Sequence, residues 1–222
     1  MNCSARLWRG VTERLGGGVE VCPTQLRGTS VEDCVASLLA DLPPRFAVAG
    51  LSLGGVVAMA LVRLAPERVA RLALLSSNPR PPTAAQRQSW ARTGAMLCAG
   101  TSARGVQAQL LPELLGDDAR SGPLAAEVLR MADDVGEGRL ADQLAIQGSR
   151  VDERPGLSRV RVPTLLLSGG ADALVPRERH EELRALVPGA TAVVLPGVGH
   201  LTPMEAPDAV ARLVGDWLTA RG

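Results

Sequence analysis

The chain carries one serine in a setting suited to nucleophilic chemistry. Gly50-Leu51-Ser52-Leu53-Gly54 fits the pattern GxSxG, in which small residues two before and two after the serine let a strand turn abruptly into a helix. That turn pushes the hydroxyl out of the sheet. With 24 glycines in the chain, a match at three positions is weak by itself. Its context is stronger, because an apolar strand-like run, Phe46–Ala49, stands directly before it and a helical run directly after.

A serine hydroxyl attacks only when a positioned base takes its proton, and the chain offers two histidines. His180 lies in RERHEELR, a charged helical run that reads as a solvated face. His200 lies in the loop PGVGHLTP, after the apolar run Thr191–Leu195, where glycines allow a side chain to project from the strand's carboxyl end. Asp172, in SGGADALVP, follows the apolar run Thr164–Ser168 and emerges at the same edge. Alone it reads as a turn aspartate or a helix cap before Pro176. Taken together, Ser52, Asp172 and His200 assemble a nucleophile, an orienting carboxylate and a general base at three strand ends, the edge where ligands of parallel sheets collect.

The elements that must hold these groups alternate along the chain. Leu7, Trp8, Val11 and Leu15 recur at helical spacing between Ala5 and about Gly16. Val19–Cys22 reads as a short strand ended by Pro23, and Ser30 with Asp33 as the cap of a helix through Leu42. Phe46–Ala49 and Val69–Leu75 read as strands, with a helix from Val56 to Ala65 between them. From Asn78 to about Arg161 the alternation gives way to helical segments broken by Gly and Pro. It resumes with strand Thr164–Ser168, a helix over Arg177–Val187 started by Pro176, strand Ala192–Leu195 and a last helix from about Ala206 to Ala220. Strands alternating with helices predict an α/β fold with a mainly parallel sheet flanked by helices. The expected divisions are residues 1–78 and 162–222 for the core, with a helical insertion over 79–161.

Composition narrows the function. The 222 residues suffice for one domain with an insertion. The formal charge is +1 with acids and bases interspersed, so no basic stripe is present to meet a run of phosphates, and nucleic acid is not an expected partner. Cys3, Cys22, Cys34 and Cys98 form no CxxC pair and lie near no histidine cluster, which argues against a zinc or redox site and predicts reduced, structural thiols. The first ten residues lack the apolar core of a secretory signal, and no apolar run is long enough to cross a bilayer; we expect a cytoplasmic protein without a membrane partner. All 24 basic residues are arginine, a skew from which no mechanism follows.

GLSLGG, GGADALVP and GVGHLTPMEAP resemble the nucleophile, acid and histidine segments of the α/β-hydrolase superfamily, over Phe46–Asn78 and again over Val162–Leu218. The chain order serine, aspartate, histidine is that fold's order. Within the superfamily the chain is most similar to small esterases and lactonases, such as 3-oxoadipate enol-lactonases and pimeloyl-carrier-protein methyl esterases. The resemblance implies hydrolysis of a small-molecule carboxylic ester or lactone through an acyl-enzyme, without metal or organic cofactor. It assigns one oxyanion donor to the backbone N–H of Leu53. It also makes the insertion a cap over the serine, with Trp90, Met96, Leu97, Leu110, Leu111 and Leu114 among the apolar residues available to line a pocket or form the cap's own core. Ten arginines and ten acids between Arg80 and Val160 leave the cap electrically balanced, which favours a neutral ester.

The resemblance also implies a strand in mid-sheet, between Val19–Cys22 and Phe46–Ala49, that no residues here remain to form. We expect a native protein to carry additional upstream residues encoding it. Only Met1–Ser4 would belong to the loop after that strand, which supplies the family's second oxyanion donor. Two alternatives follow: a non-catalytic ligand-binding or remnant protein, motivated by this gap, and a cofactor-free perhydrolase or carbon–carbon hydrolase on the same scaffold.

Overall fold

A computed structural model describes residues 1–220. The chain begins with helix α1 (Arg6–Leu15), followed by α2 (Val31–Asp41), strand β1 (Phe46–Leu51), α3 (Leu53–Leu64) and β2 (Val69–Leu75). Four helices come next: α4 (Ala84–Cys98), α5 (Ala103–Leu114), α6 (Pro123–Gly148), which bends at Gly136, and the short α7 (Arg154–Leu157). The alternating pattern then returns with β3 (Thr164–Gly169), α8 (Arg177–Leu186), β4 (Thr191–Leu195), α9 (Thr202–Glu205) and α10 (Pro207–Thr219). The four strands form one sheet in the order β1-β2-β3-β4, every neighbouring pair parallel. The predicted α/β class and the parallel sheet are therefore observed.

Burial on both faces explains why the central strands read as continuous apolar runs rather than alternating ones. Leu72 and Leu74 of β2 and Leu166 of β3 point into a cluster with α2, α3 and Leu183 of α8. Ala73 and Leu75 of β2 and Leu165 and Leu167 of β3 point to the other face, against α1, α10 and the inner side of α6. Local signals start the helices as expected. Ser30 caps α2 in a reciprocal box, its hydroxyl accepting from Asp33 N–H at 3.0 Å while Asp33 accepts from Ser30 N–H at 3.0 Å. Thr83 and Gln86 make the same box at α4.

Two expectations need correction. The helix after Ser52 begins at Leu53 rather than Val56, so the turn is confined to the serine itself. Val19–Cys22 is not a strand: no neighbour pairs with it in the sheet, and Val19 and Val21 are exposed. The physical reason is pairing. A strand is held by ladder hydrogen bonds to a neighbour, and among the described residues β1 has a partner only on its β2 side. Along its free side runs a concavity of about 520 Å³ lined by α1, residues 19–26 and β1, so the nearest sheet edge lies across a gap from Val19–Cys22.

Candidate active site

All four strands run the same way, so their carboxyl ends share one edge of the sheet. β1 delivers Ser52, the loop after β3 delivers Asp172 and the loop after β4 delivers His200. Ser52 sits at φ 53°, ψ −111°, a backbone region that costs a side-chain-bearing residue about 1–3 kcal/mol. The surroundings hold it there: Ser52 N–H donates to Leu75 O at 2.9 Å, and its own carbonyl accepts from Val56 N–H at 3.1 Å. Close packing explains two glycines. A Cβ on Gly50 would run into the Gly54 carbonyl and lie 2.6 Å from Gly55 N, and one on Gly55 would overlap the Ser77 hydroxyl. Gly54, the second glycine of the GxSxG pattern, has open space where a Cβ would go.

The acid and histidine loops are fastened to each other. Gly170 N–H donates to Leu195 O and Ala171 N–H to Val198 O, each at 2.8 Å, and a Cβ on Gly169 would strike the backbone at Val198 and Gly199. This crossing sets Asp172 against the ring of His200, whose Nδ1 lies 3.0 and 2.9 Å from the two carboxylate oxygens. Both side chains are nearly inaccessible, at 3% for His200 and 2% for Asp172. Burial pushes the Asp172 carboxyl up, but the His200 hydrogen bond and charge, with help from Val175 N–H and the nearby Ser76 hydroxyl, bring it below the ordinary carboxylate value. Leu174 and Val175 N–H both donate to Asp172 Oδ1, fixing the carboxylate from its own loop. Nδ1–H facing Asp172 leaves the lone pair on Nε2, the tautomer a general base needs.

Ser52 and His200 line one cavity of about 270 Å³, enclosed by residues of β1, the loop after β2 and helices α4 to α6. Among the described residues the two bonds to Asp172 are the only side-chain hydrogen bonds of His200, so Ser52 and the ring share the cavity without a direct bond. The larger concavity beside β1 holds neither side chain and is not the site of this chemistry. Leu53 N–H is the first of α3 and has no acceptor within its own helix. Of the apolar residues of the insertion considered from sequence, Trp90, Leu110 and Leu114 line the cavity, and Leu114 belongs at the same time to the hydrophobic core, with Leu110 and Leu111 packed against it.

Two residues behave otherwise than the sequence suggested. His180 is buried rather than solvated, at 8% exposure, because the spacing His180, Leu183, Val187 puts it on the stripe of α8 that packs inward. Burial lowers its pKa from 6.5; the Asp172 charge opposes this and His200 adds to it. Glu205 was not singled out, yet its Oε2 accepts from Gly116 N–H at 2.8 Å and Gly199 N–H at 2.9 Å, tying the histidine loop to the end of α5. His200 N–H itself donates to Leu114 O at 3.0 Å. The segment's helical spacing carried no signal for these ties, since both partners are backbone N–H groups, one of them 89 residues away in the chain. The four cysteines are free, two of them, Cys22 and Cys98, exposed, so a structural role suits Cys34 and not those two.

The profile described as "Alpha/beta hydrolase family" matches residues 4–213. The chain belongs to the alpha/beta hydrolase family. It is 29% identical over 232 residues to a pimeloyl-[acyl-carrier protein] methyl ester esterase of Aromatoleum aromaticum, covering 95% of this chain and 92% of that one. Among solved structures it resembles a thermophilic esterase from Thermogutta terrifontis, with a TM-score of 0.83 and 26% identity, covering 97% of this chain and 85% of the other. It also shares the fold of the enol-lactonase from Burkholderia xenovorans LB400, with a TM-score of 0.79 and 23% identity, covering 99% and 88%. Among the described residues no helix is long and apolar enough to cross a membrane.

Proposed function

We propose that this family member is a serine hydrolase that cleaves a carboxylic ester or lactone through an acyl-enzyme on Ser52. The observation that carries the reading is the shared cavity of Ser52 and His200, with His200 held by Asp172 from behind. His200 Nε2 takes the Ser52 proton as Oγ attacks the carbonyl carbon. The resulting oxyanion receives Leu53 N–H, and the imidazolium, stabilised by Asp172, gives the proton to the leaving alkoxide. Water then attacks the acyl-enzyme with His200 again as base, releasing the acid and restoring Ser52. One oxyanion donor is worth about 3 kcal/mol of transition-state stabilisation. Residues 79–161 serve as the cap, shielding the acyl-enzyme from bulk water and enclosing the substrate's organic part.

The test is labelling by a fluorophosphonate, which needs an activated serine. The full chain should take up one probe, located to Ser52 by peptide mass, and Ser52→Ala should take up none. A folded chain that resists the probe would favour the second reading, a binding protein on a hydrolase scaffold, for which the missing Ser52–His200 hydrogen bond speaks. A substrate panel separates ester hydrolysis from perhydrolysis and carbon–carbon cleavage.

A further inference from the structure

The strand between those that carry the nucleophile and the acid ends in a serine whose hydroxyl has no hydrogen-bond partner. Leu75, the last residue of β2, pairs with Leu51 on one side and Leu167 on the other, so Ser76 leaves the sheet between Ser52 and the loop of Asp172. Its backbone is tied into that edge. Ser76 N–H donates to Leu167 O at 2.9 Å, beside the bond from Ser52 N–H to Leu75 O at 2.9 Å. Ser76 is held at φ 44°, and among the described residues only Asn2 and Ser52 share a positive φ without being glycine. Such conformations persist where the surrounding structure over-determines them, and they gather at functional sites.

The neighbouring Ser77 hydroxyl donates to Leu75 O at 2.8 Å and, less closely, to Ser52 O at 3.4 Å, bracing the nucleophile's turn. The Ser76 hydroxyl is completely buried and makes no hydrogen bond. Other atoms of Ser76 line the cavity of Ser52 and His200, but the oxygen itself is out of reach of solvent, so its partner has to be a protein group. An unpaired buried hydroxyl is unfavourable. The group it stands beside is the Asp172 carboxylate, whose pKa it helps to lower. That carboxylate has an opening on one side. Oδ1 accepts from Leu174 N–H at 2.9 Å and Val175 N–H at 3.0 Å, whereas among the described residues the His200 ring, at 2.9 Å, is the one hydrogen-bond partner of Oδ2.

We propose that Ser76 is a positioning residue, whose O–H donates to Oδ2 of Asp172 and fixes the carboxylate that orients His200 for proton transfer from Ser52. This rests on the serine-hydrolase reading. Backbone donors hold Oδ1 and Ser76 holds Oδ2, so the carboxylate cannot turn away from Nδ1–H as positive charge develops on the ring. Hydrogen bonds of this kind are often long until the substrate complex draws them in. Ser76 keeps its proton throughout and touches neither the substrate nor the reacting atoms.

The experiment measures turnover of p-nitrophenyl acetate, fluorophosphonate labelling of Ser52 and melting temperature on the full chain. Ser76→Ala keeps the Cβ and the strained φ and removes only the hydroxyl. It should lower kcat by roughly 10- to 100-fold, the range of a hydrogen bond to a charged group, with KM unchanged and labelling slowed in proportion. Ser76→Gly relieves the positive φ and should melt above Ser76→Ala while losing the same activity, a separation that a merely structural role does not produce. In an Asp172→Asn background, removing the Ser76 hydroxyl should slow labelling far less than in the unmutated chain, because residues that act through one another are non-additive. Should Ser76→Ala not fold, Ser76→Gly carries the same comparison. Equal losses in the two backgrounds overturn the proposal, as does a folded Ser76 variant that labels as fast as the unmutated chain. An unmutated chain that takes up no probe removes the serine-hydrolase reading and the inference with it.

Discussion

Replacing Gly50 and Gly54 separately by alanine distinguishes the turn's geometry from its sequence pattern. The pattern treats the two positions alike. In the structure a Cβ on Gly50 meets the backbone of Gly54 and Gly55, and one on Gly54 meets nothing within 4 Å. Backbone in the first turn of α3 cannot swing aside as a side chain can, so Gly50→Ala must push the start of the helix away from β1. Overpacking of this kind costs about 3 kcal/mol, and at roughly 2–4 °C per kcal/mol for a domain of this size the melting temperature should fall by about 6–12 °C. The same displacement moves Ser52 relative to His200, and a shift near 1 Å costs about 100-fold in rate. Gly54→Ala instead adds a good helix former at a position with an ordinary φ, and should raise stability by about 0.4–1 kcal/mol. Melting scans and fluorophosphonate labelling rates on both variants provide the assay. If Gly54→Ala loses as much labelling and stability as Gly50→Ala, the steric argument is wrong.

Asp172→Asn should preserve the fold and lower kcat by about 10⁴-fold, since an amide favours the wrong tautomer of His200; steady-state kinetics on any accepted ester checks this, and a loss under tenfold would remove Asp172 from its role. Arg63→Ala should destabilise by roughly 3 kcal/mol, because Glu153, only 3% exposed, loses two charged hydrogen bonds at 2.9 and 3.1 Å; denaturant titration measures it, and Glu153→Gln on the same background should restore part of the loss. Acidification should destabilise the chain in two stages. The native state holds His180 neutral below its ordinary value of 6.5 and Asp172 ionised below 3.8, so in each case the unfolded chain takes up the proton first. Stability is then lost as pH falls below 6.5 and again below 3.8, by at most about 1.4 kcal/mol per pH unit for each group. Melting temperatures from pH 7.5 to 5 should fall more steeply for the unmutated chain than for His180→Gln, and identical slopes would show that His180 does not contribute.

The sequence by itself determined the parts of the fold that depend on neighbours a few residues away. Ser30 with Asp33 starts a helix because the capping groups lie three residues apart, and the Phe46–Ser52 strand and turn are legible because the glycines and apolar run are contiguous. Ser52, Asp172 and His200 were legible for a related reason: in a parallel sheet every strand ends at the same edge, so reading three strand ends locates three side chains without knowing their contacts. Tertiary structure decided what depends on pairing and burial. Val19–Cys22 has strand-like residues and no strand, because its ladder partner must come from elsewhere in the sheet. His180 is buried in a run of charges because one stripe of α8 faces β3, and Gly55 rather than Gly54 is the constrained glycine because Ser77 stands beside it. Arg150 shows the limit most directly: a count of charges finds it balanced, and only the packed structure shows it 7% exposed, with its guanidinium bonded, among the described residues, to the neutral acceptors of Gln147, Asn78 and Arg80. Local propensity acts within a turn or two of the chain, whereas the cost of a buried charge is set by whichever groups the whole fold brings within a few ångströms.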